Sequence, residues 1–344
     1  MKSLFTKSSF SLFSLTVGGL LLAGCTGNDN QQTVPPAGNG STPSSSTAPK
    51  LEKVTIGYTP TIVLPQPLIG TEEGQYFLRM PGIEFNTQLF KAGSGVVEAL
   101  RAGTIDIGWS GPYPAIKAFA KAGDIVLLAN AANGGTEISV LSSSPVKSIK
   151  DLKDKTIGVN QPGSTVDAFV RHNLLKAGLN PEKDVRIIEV APGEQASALQ
   201  SGQVAAVAAP APWPSQVQLT VKARPLLDWK TILANGEYSS GAAYTTRKFA
   251  EANPEFIKQF LAAHKSITDE LNKDRAKADA RVLAAWSKVS KKKLDPAVAK
   301  AAFATIKFTV VPDAKDLQNQ ADIALKTGGL KKKADLAGFV YEVK

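Results

Sequence analysis

From residue 51 onward, apolar and polar positions repeat with two periods that take turns along the chain. Val54-Thr55-Ile56-Gly57-Tyr58 reads as a short buried strand. A proline-containing turn and a helix of about Gln66 to Glu73, closed by Gly74, follow it. Ile83, Phe85, Thr87 and Leu89 then alternate with Glu84, Asn86 and Gln88, which is strand patterning. Ser94-Gly95 opens a helix through Leu100 that Gly103 ends. Ile105 to Trp109 is a strand, Tyr113 to Ala122 a helix stopped by Gly123, and Ile125 to Ala129 and Ile138 to Leu141 are strands. The alternation predicts an α/β unit.

A second block of the same grammar begins near Ser144-Pro145. Ser148 and Asp151 have capping-box spacing. Thr156 to Asn160 is a strand, and Gln161-Pro162-Gly163-Ser164 turns into a helix whose Val166, Phe169, Val170, Leu174 and Ala177 share one face, with Gly178 as its C′ residue. Strands over Val185 to Val190 and Val204 to Ala208 flank a helix over Glu194 to Gln200. Past about Asn235 the pattern predicts helices. Asn253-Pro254 opens one in which Phe256, Ile257, Phe260, Leu261, His264 and Leu271 align, Trp286 belongs to another, and Asp313 starts the last long one. These helices are expected to pack on the first block.

The segment before residue 51 is of another kind. Lys2 and Lys7 precede an uncharged apolar stretch from about Phe10 to Leu22, too short for a comfortable permanent span. It ends in Leu22-Ala23-Gly24-Cys25, which resembles the bacterial lipobox, and the single cysteine of the chain lies there. The expectation is a lipoprotein signal peptide over 1–24 and a lipidated Cys25. Residues 26 to 50, rich in Ser, Thr, Pro, Gly, Asn and Gln, would be a disordered tether.

Composition narrows the function. With one cysteine and two histidines there is little from which to build a zinc, iron or copper site or a disulfide framework, so no cofactor or metal is expected. G-x-S-x-G and H-E-x-x-H strings are missing, and His172 has no triad partner nearby. His264, on an apolar helical face, reads as a packing residue. The net charge is +10, and removal of Lys2 and Lys7 with the leader leaves +8. The basic residues are dispersed apart from short runs at Lys291 to Lys293 and Lys331 to Lys333, which read as solvated surface. Nothing resembles a nucleic-acid module.

Three strand-to-helix turns carry small, backbone-accessible residues: Gly93-Ser94-Gly95, Ser110-Gly111-Pro112 and Pro162-Gly163-Ser164-Thr165. In open α/β sheets such turns lie at the carboxyl ends of strands, where unpaired amides and the helix dipole favour an anion. Ser94 and Ser164 are equally readable as ordinary N-caps. Tyr58 with its neighbour Thr59, Trp109, Tyr113 and Trp213 lie at or near strand ends and are readable either as core or as the wall around a ligand. Trp213, between Pro212 and Pro214 on an expected loop, is the strongest wall candidate of the aromatics.

Five strings in order resemble the solute-binding family that serves aliphatic sulfonate, taurine and nitrate importers. They are Lys91-Ala92-Gly93-Ser94-Gly95 with Glu98-Ala99-Leu100-Arg101-Ala102-Gly103-Thr104-Ile105-Asp106-Ile107-Gly108; Ala122-Gly123-Asp124-Ile125; Ile149-Lys150-Asp151-Leu152-Lys153 with Thr156-Ile157-Gly158-Val159 and Pro162-Gly163-Ser164; Leu199-Gln200-Ser201-Gly202-Gln203-Val204; and Phe249-Ala250-Glu251-Ala252-Asn253-Pro254-Glu255. The resemblance covers roughly residues 51 to 265. It implies a type II periplasmic-binding-protein fold of two mixed-sheet α/β lobes, a two-segment hinge and C-terminal helices on the first lobe. Lobe 1 would take 51–140 plus 236–344, and lobe 2 141–235.

The resemblance also implies a monomeric, non-enzymatic ABC-importer component outside the cytoplasm that binds a small anionic organosulfur solute and docks on a permease and ATPase complex. Nitrate, bicarbonate or a pyrimidine precursor of thiamine are alternative ligands within that class. A ligand-binding sensor accessory and an exported enzyme are readings from other classes. The chain departs from the family pattern where Ala205 replaces an acid and Pro210-Ala211 replaces an aromatic-acidic pair.

Overall fold

The structure, a computed structural model, describes residues 51–72 and 76–343. The expected leader, Cys25 and the tether lie outside the described residues, as do Glu73 and Gly74 at the expected close of the first helix.

The chain builds one sheet, crosses to build a second, and returns to complete the first. The opening elements are β1 (Lys53–Tyr58), α1 (Pro65–Gly70), β2 (Glu84–Leu89), α2 (Gly93–Arg101), β3 (Ile107–Ser110), α3 (Tyr113–Ala122) and β4 (Ile125–Gly134). The second group is β5 (Thr136–Leu141), β6 (Thr156–Val159), α4 (Thr165–Lys176), β7 (Arg186–Glu189), α5 (Gln195–Gln200), β8 (Ala206–Pro210), α6 (Trp213–Thr220) and β9 (Ala223–Leu227). The closing group is β10 (Ser239–Thr246), α7 (Arg247–Ala252), α8 (Pro254–Lys273), α9 (Arg275–Ser290), α10 (Pro296–Phe303), β11 (Ile306–Phe308) and α11 (Ala314–Lys326).

The first sheet has the order β11-β4-β10-β3-β1-β2 and the second β7-β6-β8-β5-β9. In each, a parallel trio (β2, β1, β3; β7, β6, β8) is extended by antiparallel strands. Parallel strands need crossover helices, and α2 and α4 supply them. Their ends follow local chemistry. Ser164 caps α4 by accepting the Asp167 amide at 3.2 Å, and Gly123 ends α3 in the left-handed region at φ 69°. The Ser148–Asp151 capping box forms and opens one 3₁₀ turn, Ile149–Leu152.

Two findings differ from the sequence expectation. The region past Asn235 is not purely helical, because β10 runs antiparallel between β3 and β4 in the middle of the first sheet and β11 pairs with β4. β10 is covered on both faces and is written in small residues, Ser-Ser-Gly-Ala-Ala-Tyr-Thr-Thr, so it carries no apolar alternation. The strand at Ile138 to Leu141, which the sequence places in the first block, pairs with β8 and β9 of the second sheet.

Both passages between sheets use left-handed backbone. Gly134 and Gly135 have φ of 83° and 75° between β4 and β5; Ala234, Asn235 and Gly236 have φ of 46°, 53° and 82° before β10. The passages are tied together, the Gly134 amide donating to Tyr238 O at 3.1 Å and the Thr136 amide to the Tyr238 hydroxyl at 3.1 Å. From residue 51 onward the two sheets belong to one compact unit.

Trp109, Phe77, Phe260 and His264 form an aromatic core beside the first sheet. Buried His264 meets the Asn130 carbonyl at 2.8 Å through Nε2, and burial pushes its pKa down to about 4. The final helix serves two cores. Leu317 and Ala321 pack with residues of α2 and α3, whereas Ile323 and Ala324 pack with Val166, Phe169 and Val170 of α4.

Candidate functional site

A cavity of about 480 Å³ lies between the two sheets. It is lined by the turns that follow parallel strands: Thr59 and Thr61 after β1, Ala92 and Gly93 after β2, Ser110 and Gly111 after β3, Asn160, Ser164 and Thr165 after β6, and Pro210 at the end of β8. This is where an open α/β sheet places a ligand. Val63, Leu64, Leu89, Phe90, Pro114 and Trp213 supply an apolar wall.

Close packing of small residues makes this geometry possible. A Cβ on Gly93 would come within 2.3 Å of Ser110 Oγ, and one on Gly111 within 2.3 Å of Thr165 Oγ1. The first absence lets α2 approach β3. The second lets the two halves of the molecule meet. Hydrogen bonds beside the cavity help join the halves: Thr61 Oγ1 donates to Ala211 O at 2.7 Å, Ser94 Oγ to Gln161 Oε1 at 3.1 Å, and the Tyr113 amide to Thr165 Oγ1 at 3.3 Å.

An accounting of donors separates residues that hold the protein together from those that face a solute. Ser164 Oγ accepts the Asp167 amide and donates to Asn160 Oδ1, so its hydroxyl is spent as a cap. The Gly163 amide donates to Asp167 Oδ2 at 2.7 Å. Ser110 Oγ is engaged with the Tyr244 hydroxyl and Gly111 O, and Ser240 Oγ with Ala132 O. By contrast Thr165 Oγ1 only accepts, so its own proton remains to be donated inward. Thr59 Oγ1 and the Asn160 Nδ2 donor have no protein partner among the described residues. Ala92 offers no capping side chain to α2, which leaves first-turn amides of that helix beside the cavity.

The expected site residues therefore divide. Thr59, Ser110, Gly111, Ser164, Thr165 and Trp213 line the cavity; Tyr58, Ser94, Gly95, Tyr113 and Gly163 do not. Tyr58 shares the inward register of Val54 and Ile56 and is buried in the core of the first sheet, where desolvation raises its pKa. Tyr113 turns away to α11 and meets Thr327 Oγ1 at 3.2 Å. Trp213 is not on a loop but opens α6, with Pro212 as N-cap and Pro214 within the first turn, positions where a missing amide costs no hydrogen bond. Its indole lies edge-on to buried Trp286 at 6.0 Å between ring centroids, and Trp286 Nε1 donates to Pro60 O at 3.1 Å.

The departures at residues 205 and 210–211 bear unequally on the site. Ala205 immediately precedes β8, at the strand end away from the cavity, whereas Pro210 lines it and Ala211 O accepts from Thr61. Residues that sequence reasoning missed include Lys91 and Glu189 at strand ends and Lys292 from the α9–α10 connection. The run Lys291 to Lys293 reads as solvated surface, yet Lys292 Nζ stands 4.8 Å from the centre of the Trp213 ring.

A mixed α/β body whose chain crosses twice between two sheets, with a solute-sized cavity among strand ends, defines the periplasmic-binding-protein class of fold. The chain belongs to the NMT1-like family, which it matches over residues 47–287. It is 30% identical over 214 residues to a putative aliphatic sulfonates-binding protein of Escherichia coli (strain K12), covering 60% of this chain and 63% of the relative. It is 24% identical over 238 residues to the nitrate/nitrite binding protein NrtA of Nostoc sp. (strain PCC 7120), covering 61% and 54%. The match thus spans less than two thirds of the length of these curated relatives. Among solved structures, the alkanesulfonate-binding protein SsuA from Xanthomonas axonopodis pv. citri bound to MOPS superimposes with a TM-score of 0.70 at 27% identity, over 84% of this chain and 98% of that one.

Proposed function

We propose that this protein is the extracytoplasmic solute-binding component of an ABC importer, a binding protein rather than an enzyme. Its solute is a small organic anion of the aliphatic sulfonate type. The observation that carries the reading is the pairing, in one cavity of about 480 Å³, of unspent donors at the amino ends of α2 and α4 with an apolar wall that includes Trp213 and Phe90. Backbone and hydroxyl donors suit an acceptor-only head group, and an apolar wall suits a carbon tail. A cavity of this size is far larger than a nitrate ion needs.

Thr59, Gly111, Thr165 and Trp213 would contact the solute directly; Ser110 is engaged with Tyr244, Ser164 holds α4 in place, and Ser94 holds the two halves together through Gln161. In this reading the protein is exported and anchored through lipid on Cys25. It works as a monomer and hands solute to a permease driven by an ATPase. The names of the similar proteins support the solute class.

The test is a thermal-shift panel on the body from residue 51 onward. Methanesulfonate, propanesulfonate, taurine, nitrate, bicarbonate and thiamine precursors are compared at several concentrations. A solute present at a hundred times its Kd adds about 2.7 kcal/mol of stability. Stabilisation by a non-sulfonate with all sulfonates silent overturns the solute class.

A further inference from the structure

Two lysines, Lys91 and Lys292, and one carboxylate, Glu189, are the charged side chains lining the cavity among the described residues. Among the described residues neither lysine forms an ion pair, with Glu189 or any other carboxylate. Lys292 is held in a particular way. Lys291 takes left-handed backbone at φ 59°, a conformation uncommon outside glycine, and turns the chain as α9 ends. The Lys292 amide then donates to Ser290 Oγ at 3.3 Å. The side chain reaches over α6 to lay its ammonium on the Trp213 ring, and the missing side chain of Gly193 makes room, since a Cβ there would stand 2.4 Å from Nζ. An ammonium over a ring face keeps donors that the ring does not use. Lys292 also lies beyond residue 287, where the family match ends.

We propose that Lys292 is a specificity-determining residue that selects solutes carrying a second anionic group at the end opposite the sulfonate. This rests on the functional reading above, in which the sulfonate occupies the α2 and α4 end of the cavity. The distal end of the solute then faces the Trp213 wall, where Lys292 supplies a cation outside any ion pair among the described residues. A plain alkyl end leaves that cation unanswered; a carboxylate or second sulfonate pairs with it in a charge-assisted contact. The preferred class is therefore short ω-carboxylated or ω-sulfonated alkanesulfonates over alkanesulfonates of equal length.

Calorimetric titration of 3-sulfopropionate, propane-1,3-disulfonate and propanesulfonate into the wild type, Lys292→Met and Lys292→Arg tests this. Methionine keeps an apolar stem over Trp213 and removes the charge. The expected result is at least a tenfold preference of the wild type for the dianions, reduced to within threefold in Lys292→Met and largely kept in Lys292→Arg, with propanesulfonate losing far less affinity than the dianions in Lys292→Met. Equal losses for mono- and dianions in Lys292→Met overturn the proposal, since they show a purely structural strut, as does a wild type without preference. If no sulfonate binds the wild type at all, the functional reading itself is what fails.

Discussion

Gly111 lies against Thr165 so closely that a methyl group on Gly111 would meet Thr165 Oγ1 at 2.3 Å and its Cβ at 2.8 Å. The two residues come from opposite sides of the cavity, one just after β3 and the other at the start of α4. Their contact is one of the places where the halves touch, and it depends on a hydrogen atom in place of a side chain.

Gly111→Ala should therefore prop the cleft apart without disturbing either sheet. The expected outcome is a larger radius of gyration in solution scattering with ligand present, and a loss of at least tenfold in affinity, about 1.4 kcal/mol. The unliganded melting temperature should change little. A variant that binds and compacts as the wild type does would show that the neighbouring backbone absorbs the methyl.

Thr165→Val keeps the shape of the side chain and removes its donor, along with the oxygen that accepts the Tyr113 amide. A hydrogen bond to a charged group contributes about 1.5–3 kcal/mol, so sulfonate affinity should fall roughly ten- to a hundredfold. Thr165→Ser should recover most of it. Ser164→Ala offers the contrast, because its hydroxyl caps α4. That variant should lower the melting temperature through loss of a cap, about 1 kcal/mol, as the primary effect. Titration calorimetry and thermal melts on the same three proteins distinguish the two roles.

The pH dependence of stability should hide two opposing contributions. Burial raises the pKa of Asp316, on α11, to about 6, although its Oδ2 accepts from the Ser239 amide at 2.8 Å and from Gln320 at 2.9 Å. Between pH 6 and the unfolded value near 3.8, the native state holds a proton that the unfolded chain releases, so stability rises as pH falls, by about 3 kcal/mol in full. His264 has the opposite sign. It stays neutral in the fold down to about pH 4, while the unfolded chain takes a proton near 6.5, so stability is lost as pH falls through that window. Asp316→Asn removes the first contribution alone. Denaturation between pH 4.5 and 7.5 should show the variant losing stability on acidification more steeply than the wild type, and parallel curves would refute the assignment.

Cys25→Ser tests the expected anchor. Expressed in a bacterial host with its own leader, the unaltered chain should partition into the membrane fraction and the detergent phase. The variant should appear in the soluble extracytoplasmic fraction. Equal partitioning of the two would remove lipidation from the reading.

Much of the fold is legible in local chemistry, and the exceptions have identifiable causes. Ser164, Gly123 and the Ser148–Asp151 pair declare element ends, because caps and left-handed residues are decided within a few positions. Strand β10 is illegible, since a strand buried on both faces among small residues has no period to read. The site was half legible. Strand-end turns at Ser110-Gly111 and Ser164-Thr165 point to the cavity, but whether a hydroxyl there is spent or spare depends on partners such as Tyr244 and Asn160. Pro212 and Pro214 made Trp213 look like loop, although both suit the first turn of a helix. Lys292 carries no local signal; only tertiary folding brings it to Trp213.

The last helix constrains how the molecule can breathe. Leu317 and Ala321 are embedded in one hydrophobic cluster and Ile323 and Ala324 in another, so α11 cannot travel wholly with either side without baring apolar surface. Any gaping motion strains this seam, whereas a twist about an axis near α11 leaves both embedded faces covered. For the proposed solute binding, an opening by rotation, with a short stroke at the seam and a longer one at the far rim, would bare less of that apolar surface than gaping would.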